Sequence, residues 1–224
     1  MDSASREKTR YFSKFALAHL REMRILKAGK ILGPESEGWR NVAQHCLAEA
    51  VGADILAEHL GADRSKVVRG TLLHDWYKRG EIAARREHGG MKGYLLSSAE
   101  DEQLLVRFGV TEDIIRIAHA NIPETEDLGR LAQRPLEEKI MHFMDMITDQ
   151  SSFIESEERL QKVERNPMTL EFLESFRPRY GGKHLNEIQR EVLTLEQAEF
   201  ESILGIEHGT LVPFLNHEVQ KRIG

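Results

Sequence analysis

The chain has 224 residues, 40% of them hydrophobic and 30% charged, with a formal net charge of -6. This is too apolar for a disordered chain, and the acidic balance argues against a nucleic-acid duplex as partner. The one cysteine, Cys46, excludes an internal disulfide, which points to a reducing compartment and a cytoplasmic location.

Apolar residues recur at three- and four-residue spacing and alternating runs are absent, so an all-α fold is expected. A first helix is predicted over about 5–28, followed by the Gly- and Pro-rich loop 29–38. A second helix runs from about Trp39 to Leu60 and stops at Gly61. Asp63 is placed to cap a third helix carrying Val67, Val68, Thr71 and Leu72. Residues 77–96, with Gly89, Gly90 and Gly93, read as an irregular joint holding at most a short helix. Ser97 and Glu100 suggest a capping box for a helix ending near Gly109. Thr111 caps the next one, and Pro135 opens a longer helix, PLEEKIMHFMDMITDQ. Beyond Asn166-Pro167 two or three further helices follow, divided by RPRYGGKH and by Gly205. No apolar run of about 18 residues occurs, so no membrane span is expected, and MDSASREKTRYFSKF lacks the apolar core of a signal peptide. The expected organisation is an N-terminal helix and loop (1–37), a helical core (38–165) and a C-terminal helical extension (166–224) packed on that core.

Several polar residues sit where the helical period puts apolar ones. His74 lies seven after Val67 and three after Thr71. Asp75 lies seven after Val68 and three after Leu72. Both continue a buried face, and a carboxylate there is costly unless a cation or strong donors compensate it. His45 borders the small-residue stripe Val42, Cys46, Ala50, Ala53, Ala57 and Leu60. His119 follows Ile115 by four and points inward. In 135–150, Ile140, Phe143, Met144 and Ile147 form the main stripe, with Met141 and Met146 widening it, which describes a central helix. Asp145, Asp149 and His142 fall on its remaining polar face. Each residue alone has a structural reading, as a satisfied core histidine or a solvated acid. Together they have the composition of one metal site built from separate helices.

The order His45, then His74-Asp75, then Asp145 resembles the HD-domain metal-dependent phosphohydrolases. WRNVAQHCLAEAVGADILAEHLG looks like the family's first helix, LLHDWYK like its LLHD-x-x-K stretch and LEEKIMHFMDMITD like its last motif helix. The match spans about 38–150. The pattern comes nearest to the bacterial diadenosine-tetraphosphatase-like branch, and the missing GYP signature excludes the cyclic-dinucleotide phosphodiesterases.

The resemblance implies an HD-domain helical bundle and a metal held by His45, His74, Asp75 and Asp145. It also implies that Asp75 can bridge to a second ion held by His88 and His119. The ion would be a divalent transition metal (manganese, iron, cobalt or zinc) or magnesium, one or two per chain. Lys78, three residues after Asp75, would meet a substrate phosphate, with Arg79 assisting. Glu81 is a candidate base or orienting group. The function implied is hydrolysis of a nucleotide, a dinucleotide or another small phosphate ester by a metal-activated water, with Asp75 and Lys78 as the catalytic pair. The alternative is a regulatory module of the same fold that binds metal or nucleotide without turnover. The apolar C-terminal helices leave a homo-oligomer open.

Overall fold

The computed structural model describes residues 3–33, 38–122 and 133–223. Residues 34–37, part of the expected loop 29–38, lie outside that range. The described residues form twelve helices and one two-stranded ladder, so the chain is all-α. No helix among them is long and apolar enough to cross a membrane.

In chain order the helices are α1 (Ser3–Ala18), α2 (Leu20–Ala28), α3 (Arg40–Leu60), α4 (Arg64–Leu73), α5 (Lys78–His88) and α6 (Gly90–Arg107). Then come α7 (Glu112–Ala118), α8 (Leu136–Ile147), the strands β1 (Thr148–Asp149) and β2 (Ser152–Phe153), α9 (Ser156–Glu164), α10 (Pro167–Glu174), α11 (Leu185–Leu204) and α12 (Leu211–Ile223).

Helix α3 is the axis of the molecule. Its small residues Ala50, Ala53 and Ala57 are fully buried, and a Cβ at Gly52 would collide with the Met144 side chain. Small side chains bring α4 close on one flank and α8 on the other. Two apolar clusters share this axis. One joins Ile55 and Leu56 of α3 to Phe143 and Ile147 of α8, Phe200 of α11 and Leu215 of α12. The other joins Cys46 and Ala50 to Leu26, Leu72, Leu105 and Ile114. A third cluster, Phe172, Phe176, Leu185 and Val192, ties α10 to α11 and takes in Ile122. Full burial stabilises each such Leu, Ile or Phe side chain by roughly 1.5–3 kcal/mol.

Helix starts and stops follow local chemistry where it is strong. Asp63 caps α4, its carboxylate accepting from the Lys66 amide at 3.1 Å. Gly61 and Gly205 end α3 and α11 in the left-handed conformation, which glycine adopts without a Cβ penalty.

Four expectations need correction. The first helix is two, broken at His19, whose φ of -120° and ψ of 43° leave the helical region. The joint 77–96 is a pair of helices, α5 and α6, meeting at Gly89 with φ of 85°. Gly90 and Gly93 act as close-packing sites: a Cβ at Gly93 would overlap the Ala84 carbonyl oxygen. Ser97 therefore lies inside α6, where its hydroxyl donates to the Tyr94 carbonyl at 2.8 Å rather than capping a helix start. Finally, Pro135 is the N-cap of α8 rather than its first residue, and the helix ends at Ile147. The Thr148 hydroxyl donates back to the Met144 carbonyl at 2.7 Å as the backbone turns extended. A hairpin then pairs Thr148 with Phe153 and Asp149 with Ser152, closed through Gln150 at φ of 58°.

Candidate metal centre

Two helices and one turn deliver the polar residues to a single point. Ligand atoms of His45 and Glu49 (α3), His74 (the turn after α4) and Asp145 (α8) all lie within 4.8 Å of one another. His45 Nε2 is 3.3 Å from Asp145 Oδ1 and 3.4 Å from Glu49 Oε1. His74 Nδ1 is 3.2 Å from Glu49 Oε2, and His74 Nε2 is 3.9 Å from Asp145 Oδ1. The two imidazoles meet edge to face, 5.5 Å between centroids.

The turn carrying His74 and Asp75 is fixed from several sides. Trp76 N–H donates to the Leu73 carbonyl at 3.2 Å and Lys78 N–H to that of Asp75 at 3.1 Å. The Trp76 indole N–H donates to Asp101 Oδ1, and the ring packs edge-on against Phe108. On the other side Gly29 lies against the Trp76 backbone, where a Cβ would overlap the carbonyl oxygen.

His74 Nδ1 lies 2.8 Å from the Thr71 carbonyl oxygen. A carbonyl only accepts, so Nδ1 carries the proton and Nε2 presents its lone pair. That Nε2 is buried and has no hydrogen-bond partner among the described residues, and neither oxygen of Glu49 forms a well-directed hydrogen bond. Orphaned buried acceptors of this kind are rare and costly. A divalent cation would satisfy them together, and imidazole with carboxylate suits manganese, iron, cobalt or zinc. The residues present therefore fit a metal.

Charge supports the same conclusion. Burial pushes the Glu49 carboxyl well above the usual range, and Asp145 and Asp75 add to the rise. Burial also works against Asp145, but the His45 hydrogen bond, His74 and Arg159 hold it well below that range. Asp75, opposed by burial, is likewise held down, chiefly by Lys78 and then His74.

Asp75 stands at the edge of the group, with Oδ2 at 3.7 Å from His74 Nε2 and Oδ1 at 3.1 Å from Lys78 Nζ. Lys78 also reaches Glu81 at 3.0 Å, and Glu81 pairs with Arg85 at 3.0 Å. Asp75 and Glu81 keep Lys78 strongly protonated despite its burial. Arg79 turns instead to the Trp39 ring, 5.4 Å from its centroid.

The structure does not bring His88 or His119 into the four-residue group. His88 ends α5 with a substantially exposed ring, 3.7 Å from Glu87. His119 Nε2 meets Asp101 Oδ2 at 3.0 Å, so it completes the Trp76–Asp101 network that pins the turn. Both His119 and Asp101 line a small cavity of about 20 Å³ shared with His74 and Lys78. His142 does not lie on a polar face: it is fully buried, with Nδ1 at 2.7 Å from Glu196 Oε2 on α11. Asp149 is held by Lys162 at 2.8 Å.

The group opens into a cleft of about 970 Å³. His45, Asp75, Lys78 and Asp145 line it together with Phe172, Leu173, Asn186 and Gln189 from the C-terminal part of the chain. No protein-family model, curated protein or solved structure matches the chain.

Proposed function

We propose that the chain is a metal-dependent phosphohydrolase of the HD-domain type, acting on a nucleotide or another small phosphate ester. The observation that carries this reading is the cluster of His45, Glu49, His74 and Asp145, with the lone pair of His74 Nε2 left without a partner. The ordered motif His45, His74-Asp75 and Asp145 agrees with it. A divalent ion bound there would lower the pKa of a coordinated water and polarise a phosphoryl oxygen. His45, His74 and Asp145 would hold it, with Asp75 and Glu49 within reach as further carboxylate donors.

The chain's own residues supply the remainder. Thr71 fixes the His74 tautomer through its carbonyl. The Asp75 carboxylate stays ionised beside Lys78. Lys78 keeps a full positive charge at the wall of the cleft, where an ammonium stabilises phosphoryl oxygens as they gain charge. The volume of the cleft suits a ligand of nucleotide size better than a bare phosphate.

The test is elemental mass spectrometry on chelator-free protein, combined with a hydrolysis screen over nucleotides and dinucleotides with manganese, iron, cobalt, zinc or magnesium added. About one ion per chain and turnover of a phosphate ester are expected, both lost in Asp145→Ala. Bound metal without turnover of any ester would leave a regulatory module. Absence of metal under every condition would sink the metal reading.

A further inference from the structure

We propose that Arg159, which lines the cleft, is an anion-binding residue that clamps the substrate's phosphate together with Lys78. The proposal deepens the phosphohydrolase reading and rests on it for the identity of the anion.

Among the described residues, five cations line the cleft: Lys78, Arg85, Arg86, Arg159 and Lys162. Three already have carboxylate partners. Lys78 is paired with Asp75 and Glu81, Arg85 with Glu81, and Lys162 with Asp149 and Glu158. Arg86 is exposed near the α5 terminus. Arg159 differs from all of these. It is half-buried, and among the described residues its guanidinium makes no hydrogen bond or ion pair. Its charge nevertheless bears on the carboxyl groups at the metal end: it acts on Asp145, Glu49 and Asp149.

A partly desolvated guanidinium has five donors in a rigid fork. Left without acceptors beside a cleft, it is arranged for an anion that arrives from outside. Phosphate oxygens match the fork bidentately. The two cations also come from different parts of the chain. Lys78 starts α5, three residues beyond the His74-Asp75 pair, whereas Arg159 sits on α9, beyond the last motif helix. Both cations act on Asp145, so an anion held by the two would sit beside the metal-ligand group. The rest of the ester would extend toward Phe172, Asn186 and Gln189. There the Asn186 amide nitrogen donates to Glu164 at 3.2 Å and the Gln189 amide nitrogen donates to the Asn121 carbonyl at 3.3 Å, which fixes the orientation of both side chains.

The experiment uses full-length protein loaded with manganese and compares wild type with Arg159→Ala, Arg159→Gln and Arg159→Lys. Metal content and thermal midpoint verify that each variant is folded and loaded. Inorganic phosphate and pyrophosphate are titrated by calorimetry, and KM and kcat are measured on whichever ester is hydrolysed. The expected result is unchanged metal content, with phosphate and pyrophosphate bound about 10- to 100-fold more weakly by the Ala and Gln variants, the loss of one charge-assisted contact. Lys should recover part of the affinity, and KM should rise more than kcat falls. Equal anion affinity in wild type and Arg159→Gln would overturn the proposal even where hydrolysis proceeds, as would no anion binding in the wild type. Arg159-dependent anion binding without hydrolysis of any ester would uphold the clamp and remove the phosphohydrolase reading.

Discussion

Glu49 is the carboxyl group whose protonation metal binding should change most. Burial holds its pKa well above the ordinary carboxylate range, and an ion ligated by His45, His74 and Asp145 would favour the loss of its proton. Calorimetric titration of manganese in two buffers of different ionisation enthalpy should show proton release on binding, and Glu49→Gln should remove it. The same shift has a sign for stability. A carboxyl whose folded pKa is raised contributes stability that is full below its unfolded value and is lost as pH rises through the folded one. Asp75 and Asp145 are lowered, so their contribution is present above the unfolded value and lost as pH falls. Metal-free Glu49→Gln should therefore match wild type in thermal midpoint below about pH 4 and exceed it on the alkaline side. A constant difference across the range would refute this assignment. Glu49 was within reach of the sequence. It lies three after Cys46 and four before Ala53, on the buried stripe of α3, and the spacing argument that exposes Asp75 applies to it equally. Only the neighbouring alanines, which make LAEA look like ordinary helix surface, conceal it.

Among the elements, the turn after α4 depends most on one small residue. Gly29 ends α2 directly against the Trp76 carbonyl, so Gly29→Ala forces backbone apart in a packed region, at a cost of about 1–3 kcal/mol. Because the displaced turn carries His74 and Asp75, the same variant should bind metal more weakly. Gly61→Ala is the control: its Cβ meets nothing within 4 Å, and only its φ of 75° resists the change, so about 1 kcal/mol is expected with metal affinity unaltered. Chemical denaturation and metal titration of the two variants separate these effects. The sequence showed α3, α4, α7 and α8 because each carries a periodic apolar stripe. It hid α5 and the first turns of α6 because Gly89, Gly90 and Gly93 carry the same local signal whether they break a helix or let two helices touch. Only the Ala84 backbone facing Gly93 distinguishes the two, and that contact is tertiary.

Across the whole molecule, the C-terminal helices are bound into the same core as the motif helices. Phe143 of α8 and Phe200 of α11 stack edge to face at 5.5 Å between centroids, both fully buried. Phe200→Ala should cost about 3–5 kcal/mol, a fall in thermal midpoint on the order of 10 °C, while leaving metal content at room temperature intact; a midpoint within a degree of wild type would show that α11 docks independently of α8. This long-range packing also explains why half of the cleft was illegible. His74 and Asp75 announce themselves by breaking an apolar period, and His45 and Asp145 by their place in the ordered motif. Arg159, Asn186 and Gln189 break no pattern, and they matter only because α9 and α11 fold back over the opening.

The row of alternating charges that begins at Asp75 and passes through Lys78 and Glu81 to Arg85 continues onto α10, where the Arg85 guanidinium lies 3.7 Å from the centroid of the Phe172 ring. Lys78 is thus shared: whatever an incoming anion takes of its charge, Asp75 loses. Two ligands that draw on one side chain cannot have independent affinities, and thermodynamic reciprocity requires each to alter the other's by the same factor. An affinity for the ion measured without anion, or for the anion without ion, describes only one corner of a square whose four sides must close.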